Sequence, residues 1–492
     1  MIALSSLTLN HLPPSVAVPA YDRAALRVGI AHIGVGNFHR THQAVYLDRC
    51  LHRPGHEGWG LLGVGLGDGP QARAKAEAFW RQDGLYTVTE FDPRGRVSVR
   101  VIGAMVDYLH APSDPAAVLD RLTSPDLRIV TLTITEGGYN FDEATGAFRL
   151  DPPDVAHDLA GGAPRTAFGF LVAALEQRRA AGVTPFTVVS CDNLRHNGDT
   201  MRRAVVAFAQ ARDPALASWI EREVAFPNSM VDRIAPRVSA DDRERLNQRS
   251  GIDDLLPAMG ESYLQWVMED RFPAGRPALD QVGVELRDDV ALFEAVKGRL
   301  LNASHMLMSY PVLLCGHRLV HQAMANARIA GLLDAFMEQD AIPLLDGPPG
   351  VSLRDYKAMV IERFSNPAVA DQLLRIAHDG AAKIPVFHAK TLSTMVERGA
   401  DLNREAFFLA CFGRYLRGRD DHGAGFRVFE PGLSPQDLTL QDDLDGLGLL
   451  RMTPFRGLAL DRDLRFAAAF IAASATLTRI GTAAALDELL AP

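Results

Sequence analysis

Cysteine and long apolar runs are scarce in this 492-residue sequence. The four cysteines (Cys50, Cys191, Cys315 and Cys411) lie far apart and form no CxxC pair, which argues against a disulfide framework and a zinc site of that type. We therefore expect buried free thiols. No apolar run approaches the roughly 18 residues that cross a bilayer, and the first twenty residues lack the basic segment of a signal peptide. The sequence predicts a cytoplasmic protein without a membrane partner.

A basic surface is absent as well. The formal net charge is −9, and the acidic and basic residues are interspersed, which argues against a nucleic-acid partner and favours a small-molecule substrate. With 47% hydrophobic and 23% charged residues, the composition is that of an ordinary globular protein. A chain of this length exceeds what one hydrophobic core organises, so we expect two domains.

Lysine is also scarce in this sequence. Only five of the 51 basic residues are lysines, at positions 75, 297, 357, 383 and 390. Arginine stays protonated in proteins, whereas an ammonium group removed from water can lose its proton. A lysine in this arginine-rich chain is therefore either a plain surface residue or a candidate for proton transfer.

Four short apolar runs predict the strands of a parallel sheet. They are residues 27–36, 60–66, 128–135 and 184–193. Helical patterns rich in Ala, Arg and Glu separate these runs, and this alternation is typical of a doubly wound sheet. From about residue 286 long helical patterns replace the strands. We predict an α/β domain over residues 1–285 and a mostly helical domain over residues 286–492.

A glycine turn follows the first predicted strand. Gly34 and Gly36 lack side chains, so backbone N–H groups and a helix beginning near Asn37 can approach a pyrophosphate there. The dinucleotide fingerprint has a third glycine where this sequence has His39, and a plain turn also explains two glycines. Asp68, after the second strand, can accept a hydrogen bond from a ribose 2′-hydroxyl, which favours NAD over NADP.

Residues 293–305 carry the densest polar cluster on an otherwise apolar helix. At 100° per residue, Glu294, Lys297, Asn302 and His305 fall within an arc of roughly 140°. These groups are costly to bury, so this polar stripe of four residues is either a solvated face of the helix or a functional site.

The second interpretation suits the oxidation of an alcohol. A base removes the hydroxyl proton while hydride leaves carbon for a nicotinamide, and amide donors stabilise the developing alkoxide. Lys297 is then the candidate base. Asn302, together with Asn193 after the fourth strand, supplies the donors, and His305 positions the substrate oxygen.

A zinc site is the competing interpretation. His39 with His42, and His317 with His321, have helical spacing, but neither pair encloses a glutamate as the pair of a zinc protease does. We therefore expect a reaction without a metal.

Seven longer segments occur in the order found in one enzyme family. They are HIGVGNFHRTHQAVYLD (32–48), TLTITEGGY (131–139), SCDNLRHNG (190–198), FPNSMVDRI (226–234), KGRLLNASH (297–305), RFSNPAVADQLLRI (363–376) and DGAAKIP (379–385). Over nearly its whole length the chain resembles the polyol-specific long-chain dehydrogenases/reductases, the mannitol dehydrogenase family.

The resemblance implies a Rossmann-like NAD-binding domain, a helical substrate-binding and catalytic domain, an active site between them, and catalysis without a metal. It implies that Lys297 is the general base, that Asn193 and Asn302 form the oxyanion pocket, and that His305 binds the reacting oxygen. Glu294 is implied in proton exchange with solvent.

The same resemblance implies substrate and coenzyme contacts. Asp232, Arg375 and Lys383 are implied to line the polyol site, although Asp232 could instead pair with Arg233 and Arg375 could be a surface charge. The implied coenzyme contacts are Gly34, Gly36, Asn37, Phe38, Asp68 and Glu136. Family members carry an acidic pair after the second strand where this chain has GDGPQ in a longer loop, so NADP stays open.

The expected reaction is the NAD-dependent interconversion of mannitol and fructose. The segment AVADQLLRI and Asn228 favour a mannitol-type enzyme, and the alternatives are other polyols (glucitol, arabinitol) or the reduction of a uronate such as fructuronate. A non-catalytic nucleotide sensor would have a broken catalytic stripe, but Lys297, Asn302 and His305 are all present. We expect a monomer or a weak homo-oligomer.

Overall fold

The computed structural model describes residues 1–142, 145–443 and 445–491, with the side chains of Glu136 and Asp442 left out. The chain divides into two compact units, Met1–Ala291 and Leu292–Pro492. The predicted domain boundary after residue 285 falls inside the strand Glu285–Leu286, shortly before this division. The roles assigned to the two domains remain predictions.

The strands of the described residues all belong to the first unit. They are β1 (Ile2–Ala3), β2 (Val16–Ala17), β3 (Val28–Ile33), β4 (Gly60–Gly65), β5 (Tyr86–Phe91), β6 (Val97–Ile102), β7 (Met105–His110), β8 (Ile129–Leu132), β9 (Thr187–Ser190), β10 (Ser229–Asp232), β11 (Ile252–Asp253), β12 (Ala258–Glu261), β13 (Gln265–Met268) and β14 (Glu285–Leu286). Its α-helices are α1 (Asn37–Thr41), α2 (Gln43–Leu51), α3 (Pro70–Arg81), α4 (Pro115–Thr123), α5 (Pro153–Leu159), α6 (Ala167–Ala180), α7 (Asn197–Arg212), α8 (Pro214–Glu223) and α9 (Ala240–Ser250).

A five-stranded sheet with the order β7-β4-β3-β8-β9 forms the centre of the first unit. Every neighbouring pair in it is parallel. The four strands predicted from the sequence are β3, β4, β8 and β9, and all four lie in this sheet. β4, β8 and β9 are buried along their whole length, as apolar strands covered on both faces are.

Helices cover both faces of this sheet. Ala31 and Ile33 of β3 belong to one buried cluster with residues of α4, α6 and α7, whereas Ile30 belongs to a second cluster with residues of α2 and α3. Successive strand residues point to opposite faces, so one strand contributes to both clusters. The predicted Rossmann-like, doubly wound domain is therefore confirmed.

Three smaller sheets were not predicted. Their orders are β12-β5-β6-β2, β10-β13-β14 and β1-β11. The helix predicted to begin near Asn37 is also interrupted, because His42 has φ −117° and ψ −87° between α1 and α2.

The second unit is helical, as predicted. Its α-helices are α10 (Val290–Val296, which begins in the first unit), α11 (Ala303–Leu314), α12 (Val320–Met324), α13 (Ala327–Ala335), α14 (Leu353–Phe364), α15 (Leu373–Ala377), α16 (Gly380–Arg398), α17 (Asn403–Tyr415), α18 (Pro435–Thr439), α19 (Gly448–Arg451) and α20 (Leu464–Leu490). Two segments, Lys297–Asn302 and Phe336–Ala341, are π-helical. The 3₁₀ helices of the chain are Leu9–His11, Arg23–Ala25, Glu57–Trp59, Glu136–Tyr139, Leu279–Val282, Ile342–Leu344, Leu440–Asp442 and Arg456–Leu458.

Helix α20 corrects the expectation that the chain has no segment of membrane-spanning length. It has 27 residues, and an 18-residue stretch of it has a mean hydropathy of 1.3, which is long and apolar enough for a span by length and composition. The helix is interrupted at Gly481 (φ 76°, ψ 172°), and Phe466, Phe470 and Leu477 lie in the core of the helical unit. Since core helices of soluble proteins pass the same test, one such helix is weak evidence for a span.

The four cysteines are free thiols, as expected. Cys50, Cys191 and Cys411 are buried, whereas Cys315 is only partly buried. Burial raises the pKa of the Cys50 thiol to about 12 and that of Cys315 to about 11. Thiols with such raised pKa values are poor nucleophiles at neutral pH.

Arg178 of α6 ties together the loops at the amino ends of β8 and β9. Its buried guanidinium donates five hydrogen bonds of 2.6–2.9 Å to the carbonyl oxygens of Leu122, Ser124, Leu127 and Thr184. The hydrogen bonds to Leu122 and Leu127 are buried, so the arginine satisfies two carbonyls that would otherwise stay unpaired.

We expect Arg178→Met to lower the free energy of unfolding by about 3 kcal/mol or more, because it leaves buried carbonyls without donors. The matched control is Arg179→Met at the exposed neighbouring position, with an expected change within about 0.5 kcal/mol. Urea denaturation followed by circular dichroism measures both. Equal losses in the two variants would contradict the role given to Arg178.

Candidate active site

The glycine turn joins β3 to α1 at the carboxyl end of the central strand. Gly34 has φ +93°, and a Cβ there would lie 2.1 Å from the carbonyl oxygen of Thr133, so only glycine fits. A Cβ on Gly36 would meet only the oxygen of Gly34, at 3.8 Å. The backbone at Gly36 is therefore open to the approach of a ligand, and the turn fits a dinucleotide pyrophosphate.

The remaining residues of the turn have structural partners. The amide of Asn37 donates to the carbonyl oxygen of Pro236 (3.0 Å) and its oxygen accepts from Arg40 (2.5 Å). Phe38 stacks on His42 with ring centroids 4.8 Å apart. The ammonium of Lys75 on α3 donates to the carbonyl oxygen of Val35 (2.8 Å), and burial lowers its pKa. These contacts hold the turn in one conformation.

His39 occupies the position of the third glycine of the fingerprint. Its ring is fully buried and stacks on that of His32, with centroids 3.4 Å apart. Burial lowers the pKa of both imidazoles, that of His32 to about 3, so the stacked pair is neutral. His39 therefore packs the helix against the sheet, where the fingerprint uses a glycine.

Asp68 lies after β4 and is paired with Arg73 of α3. The carboxylate and the guanidinium are 3.0 Å apart, and Asp68 is 72% exposed. Asp68 also lines a cavity of about 590 Å³. The other lining residues are Leu66, Ala111, Pro112, Pro115, Asp154, His157, Ala163, Pro164 and Arg165. This volume is ample for a nucleoside.

Asn193, an exposed residue, follows β9 at the same end of the sheet as the glycine turn. The preceding residue, Asp192, is buried and was not singled out from the sequence. It accepts hydrogen bonds from the backbone N–H groups of Ile134 (3.1 Å) and Thr135 (2.9 Å) and from the hydroxyl of Tyr139 (2.9 Å). Asp192 thus fixes the loop after β8. In the sequence, the adjacent polar residues of the segment SCDN were the signal that could have pointed to Asp192.

Glu136 begins the 3₁₀ helix that follows this loop, and its side chain lies outside the described residues. Asp232 is 3% exposed and ends β10, where it lies opposite Gln265 of β13. Its neighbour Arg233 pairs with Glu90 at 2.8 Å. The guanidinium of Arg233 is therefore paired with Glu90 rather than with Asp232, which was the alternative.

The candidate base lies on the helix that runs through α10, the π-helical segment Lys297–Asn302 and α11. Lys297 is 7% exposed and His305 is 8% exposed, whereas Glu294 and Asn302 are partly buried. The ring of His305 stacks on Phe364 with centroids 3.9 Å apart. The projection at 100° per residue assumes a continuous α-helix and is wrong across this segment, because a π-helix bonds residue i to i+5.

The helices that carry Arg375 and Lys383 pack against this same helix. α15 contacts α11, and α16 contacts the π-helical segment. Arg375 forms a two-bond ion pair with Asp371, at 2.9 and 2.7 Å, with about half of its side chain exposed. The ammonium of Lys383 donates to the carbonyl oxygen of His378 (2.7 Å).

A partly buried carboxylate caps the helix that carries Lys383. Glu430 accepts hydrogen bonds from the backbone N–H groups of Gly380 (2.9 Å) and Ala381 (2.8 Å). Burial nevertheless raises the pKa of Glu430 to about 7. No local pattern predicts this role for Glu430, because its partners lie about fifty residues away in the sequence.

The residues expected to act in the reaction thus fall into two sets. The first set follows β3, β4 and β9, three parallel strands of the central sheet whose carboxyl ends lie at one edge, and it consists of Gly34, Gly36, Asp68 and Asn193. Lys297, Asn302, His305, Arg375 and Lys383 lie on three packed helical elements of the second unit. Within residues 1–142, 145–443 and 445–491, no three His, Cys, Asp or Glu side chains are grouped as metal ligands.

Known proteins resemble the chain in both units. A model of the mannitol dehydrogenase Rossmann domain matches residues 28–281, and a model of the mannitol dehydrogenase C-terminal domain matches residues 289–445. A polyol:NADP oxidoreductase of Gluconobacter oxydans (strain 621H) is 48% identical over 454 residues, which are 92% of this chain and 93% of that protein.

Two solved structures are similar over the whole chain. Pseudomonas fluorescens mannitol 2-dehydrogenase, in a ternary complex with NAD and D-mannitol, has a TM-score of 0.91 at 41% identity and covers 99% of both chains. A D-sorbitol dehydrogenase in substrate-free form has a TM-score of 0.90 at 44% identity, covering 99% of this chain and 100% of that one. With both domain models matched, the chain belongs to the mannitol dehydrogenase family of polyol dehydrogenases.

Proposed function

We propose that the protein catalyses the NAD-dependent oxidation of D-mannitol to D-fructose and the reverse reduction. The observation that carries this proposal is the buried Lys297 ammonium, which shares one helix with Asn302 and His305. The relative solved with NAD and D-mannitol, at 41% identity, supports the choice of substrate and coenzyme.

In the proposed reaction, the C2 hydroxyl of mannitol gives its proton to the amine of Lys297, and the hydride on C2 leaves with its electron pair. A nicotinamide coenzyme held at the glycine turn would supply the acceptor for that hydride, and C2 would become the ketone of fructose. Removing water from an ammonium group favours its neutral form, which is the form that accepts a proton.

The amide groups of Asn193 and Asn302 donate hydrogen bonds to the oxygen as negative charge develops on it. His305 binds the same oxygen, and the stacking of its ring on Phe364 holds it in one orientation. These donors and the lysine together serve the purpose that a Lewis acid has in other alcohol dehydrogenases, so we propose a reaction without a metal.

The remaining residues bind substrate or return the proton. Asp232, Arg375 and Lys383 bind the other hydroxyl groups of the polyol, because carboxylate, guanidinium and ammonium groups make strong hydrogen bonds to hydroxyls. Glu294, one helical turn before Lys297, passes the proton from Lys297 to solvent.

The coenzyme contacts follow from the glycine turn and the cavity beside it. Gly34 and Gly36 receive the pyrophosphate, helped by the backbone of Asn37 and Phe38, and the cavity lined by Asp68 receives the adenosine. Asp68 accepts from the ribose 2′-hydroxyl of NAD, and Glu136 lies in the next coenzyme-binding loop. The Gluconobacter relative is a polyol:NADP oxidoreductase, so the choice of NAD over NADP needs a test. The pairing of Asp68 with Arg73 provides a direct one.

The substrate choice predicts that the purified enzyme oxidises mannitol with NAD faster than sorbitol or arabinitol. A panel of these polyols, fructose and fructuronate, each with NAD(H) and NADP(H), measures kcat/KM by absorbance at the nicotinamide band. Turnover of uronates alone would contradict the proposal.

The base assignment predicts that Lys297→Ala lowers kcat by roughly a hundredfold or more. Binding of NAD, measured by fluorescence titration, should change little, since the lysine acts on the substrate proton. Lys390→Ala is the matched control, because this lysine is exposed on α16 and has no role in the mechanism. Unchanged turnover in Lys297→Ala would refute the assignment.

The coenzyme assignment predicts that Asp68→Ala shifts the ratio of kcat/KM for NAD over NADP by roughly tenfold or more towards NADP. The variant removes the carboxylate that repels a 2′-phosphate and releases Arg73 to bind it. Asp151→Ala, which breaks the exposed pair of Asp151 with Arg149, is the control. A ratio that stays the same would show that Asp68 does not select the coenzyme.

A further inference from the structure

We propose that His388 and Glu405 are positioning residues, which form a buried pair that holds the end of the π-helical segment Lys297–Asn302 in its reactive geometry. This inference rests on the proposed role of Lys297 as the base. It assigns a function to two buried polar residues that the reaction itself does not use.

The pair lies inside the helical unit. His388 is on α16 and 1% exposed, and Glu405 is on the first turn of α17 and fully buried. The Nδ1 atom of His388 lies 3.0 and 3.1 Å from the two carboxylate oxygens of Glu405. Its Nε2 atom lies 3.1 Å from the carbonyl oxygen of Ala303.

These contacts fix where the hydrogens are. A carbonyl oxygen only accepts, so Nε2 of His388 carries a hydrogen and donates it to Ala303. A second hydrogen must lie between Nδ1 and Glu405, because a nitrogen lone pair facing a carboxylate is repulsive. The pair is therefore neutral overall and keeps the ring oriented towards Ala303.

Ala303 is the residue at which the helix changes from π to α. It directly follows Asn302, the last residue of the π-helical segment that begins with Lys297. Long-range support matters here because π-helical turns are rare and occur mostly as local departures from α-helix at functional sites. Ala303 is fully buried, so His388, rather than water, supplies the additional donor.

The surroundings of the pair are rigid. The ring of His388 stacks on Phe408, with centroids 4.3 Å apart. Arg404, next to Glu405, binds Asp340 of the second π-helical segment through two hydrogen bonds of 2.6 and 2.5 Å. Arg404 at the start of α17 thereby binds the second π-helical segment directly. Its neighbour Glu405 reaches the end of the first segment through His388.

Three charged groups, one guanidinium and two carboxylates, lie near the pair. Asp340 and Arg404 are bonded to each other, and Asp401 lies 3.9 Å from Arg404. Stability alone does not account for His388 and Glu405, because apolar residues of similar volume often replace a buried charged pair without loss. The contact with Ala303 instead links the pair to the geometry of the helix that carries Lys297.

The test compares four full-length variants with the wild type, using mannitol and NAD. For His388→Phe we expect kcat to fall roughly ten- to a hundredfold, as a misplacement of about 1 Å does, with the KM for mannitol and the dissociation constant of NAD changed less than about threefold. The isotope effect on kcat with mannitol deuterated at C2 should rise, because the chemical step becomes rate-limiting.

Glu405→Gln separates orientation from charge. Its amide can donate to Nδ1 and leave the Nε2 hydrogen bond to Ala303 intact, so we expect kcat within about twofold of the wild type. Asp340→Asn weakens the neighbouring buried pair and is the structural control: stability falls, while kcat and the isotope effect stay unchanged. If His388→Phe fails to fold, His388→Gln replaces it, with an expected kcat several-fold below that of the wild type and a raised isotope effect.

The outcomes separate this inference from the proposed function. A folded His388→Phe or His388→Gln with the kcat and isotope effect of the wild type overturns the positioning role while leaving Lys297 as the base. An equal loss of kcat in Asp340→Asn also overturns it, since any buried pair would then have the same effect. A wild-type enzyme without polyol turnover would instead refute the proposed function itself.

Discussion

Burial of a single ammonium group is the constraint on which the functional account depends. Lys297 is 7% exposed in a chain whose other basic residues are nearly all arginines. An arginine at this position would stay protonated and could not accept a proton from an alcohol. The π-helical segment, the packing of α14 and α16 against it and the stacking of His305 on Phe364 all keep this part of the chain away from water.

The glycine turn imposes a second constraint, this time on the backbone. Gly34 lies so close to Thr133, the residue that follows β8, that no side chain fits, and its conformation is one that other residues adopt only with strain. Asp192 reinforces the turn from the neighbouring loop by binding Ile134 and Thr135. A rigid, open turn of this kind lets a ligand bind to backbone N–H groups without a large cost in conformational entropy.

Much of the first unit could be predicted from the sequence because its central strands are buried on both faces. Such strands are short apolar runs, and β3, β4, β8 and β9 were all found in this way. The hairpin of β5 and β6 was missed because the prediction relied on apolar runs alone, whereas half-exposed β6 alternates between polar and apolar residues. Long-range pairing of β12 with β5 leaves no local pattern at all.

The candidate site was only partly accessible to sequence reasoning. Lys297, Asn302 and His305 were found because polar residues interrupt an apolar helix, but the π-helical geometry was not, since it arises from tertiary packing. His388 was passed over because a lone histidine on a helix gives no sign of a partner seventeen residues later or of a carbonyl eighty-five residues earlier. The length of α20 was not predicted because Arg, Ser, Thr and Gly interrupt its apolar residues.

The scarcity of lysine makes the central claim directly measurable. In protein labelled with ¹³C at the lysine ε-carbons, five signals are expected, and Lys297→Ala identifies the one that belongs to the candidate base. If Lys297 is the base, a pH titration followed by NMR should show its signal titrating at a lower pH than that of Lys357, whose pKa is raised by hydrogen bonds to Asp334 and Glu338. Titration of Lys297 together with Lys357 would contradict the account, since Lys297 would then be protonated at neutral pH and could not act as the base.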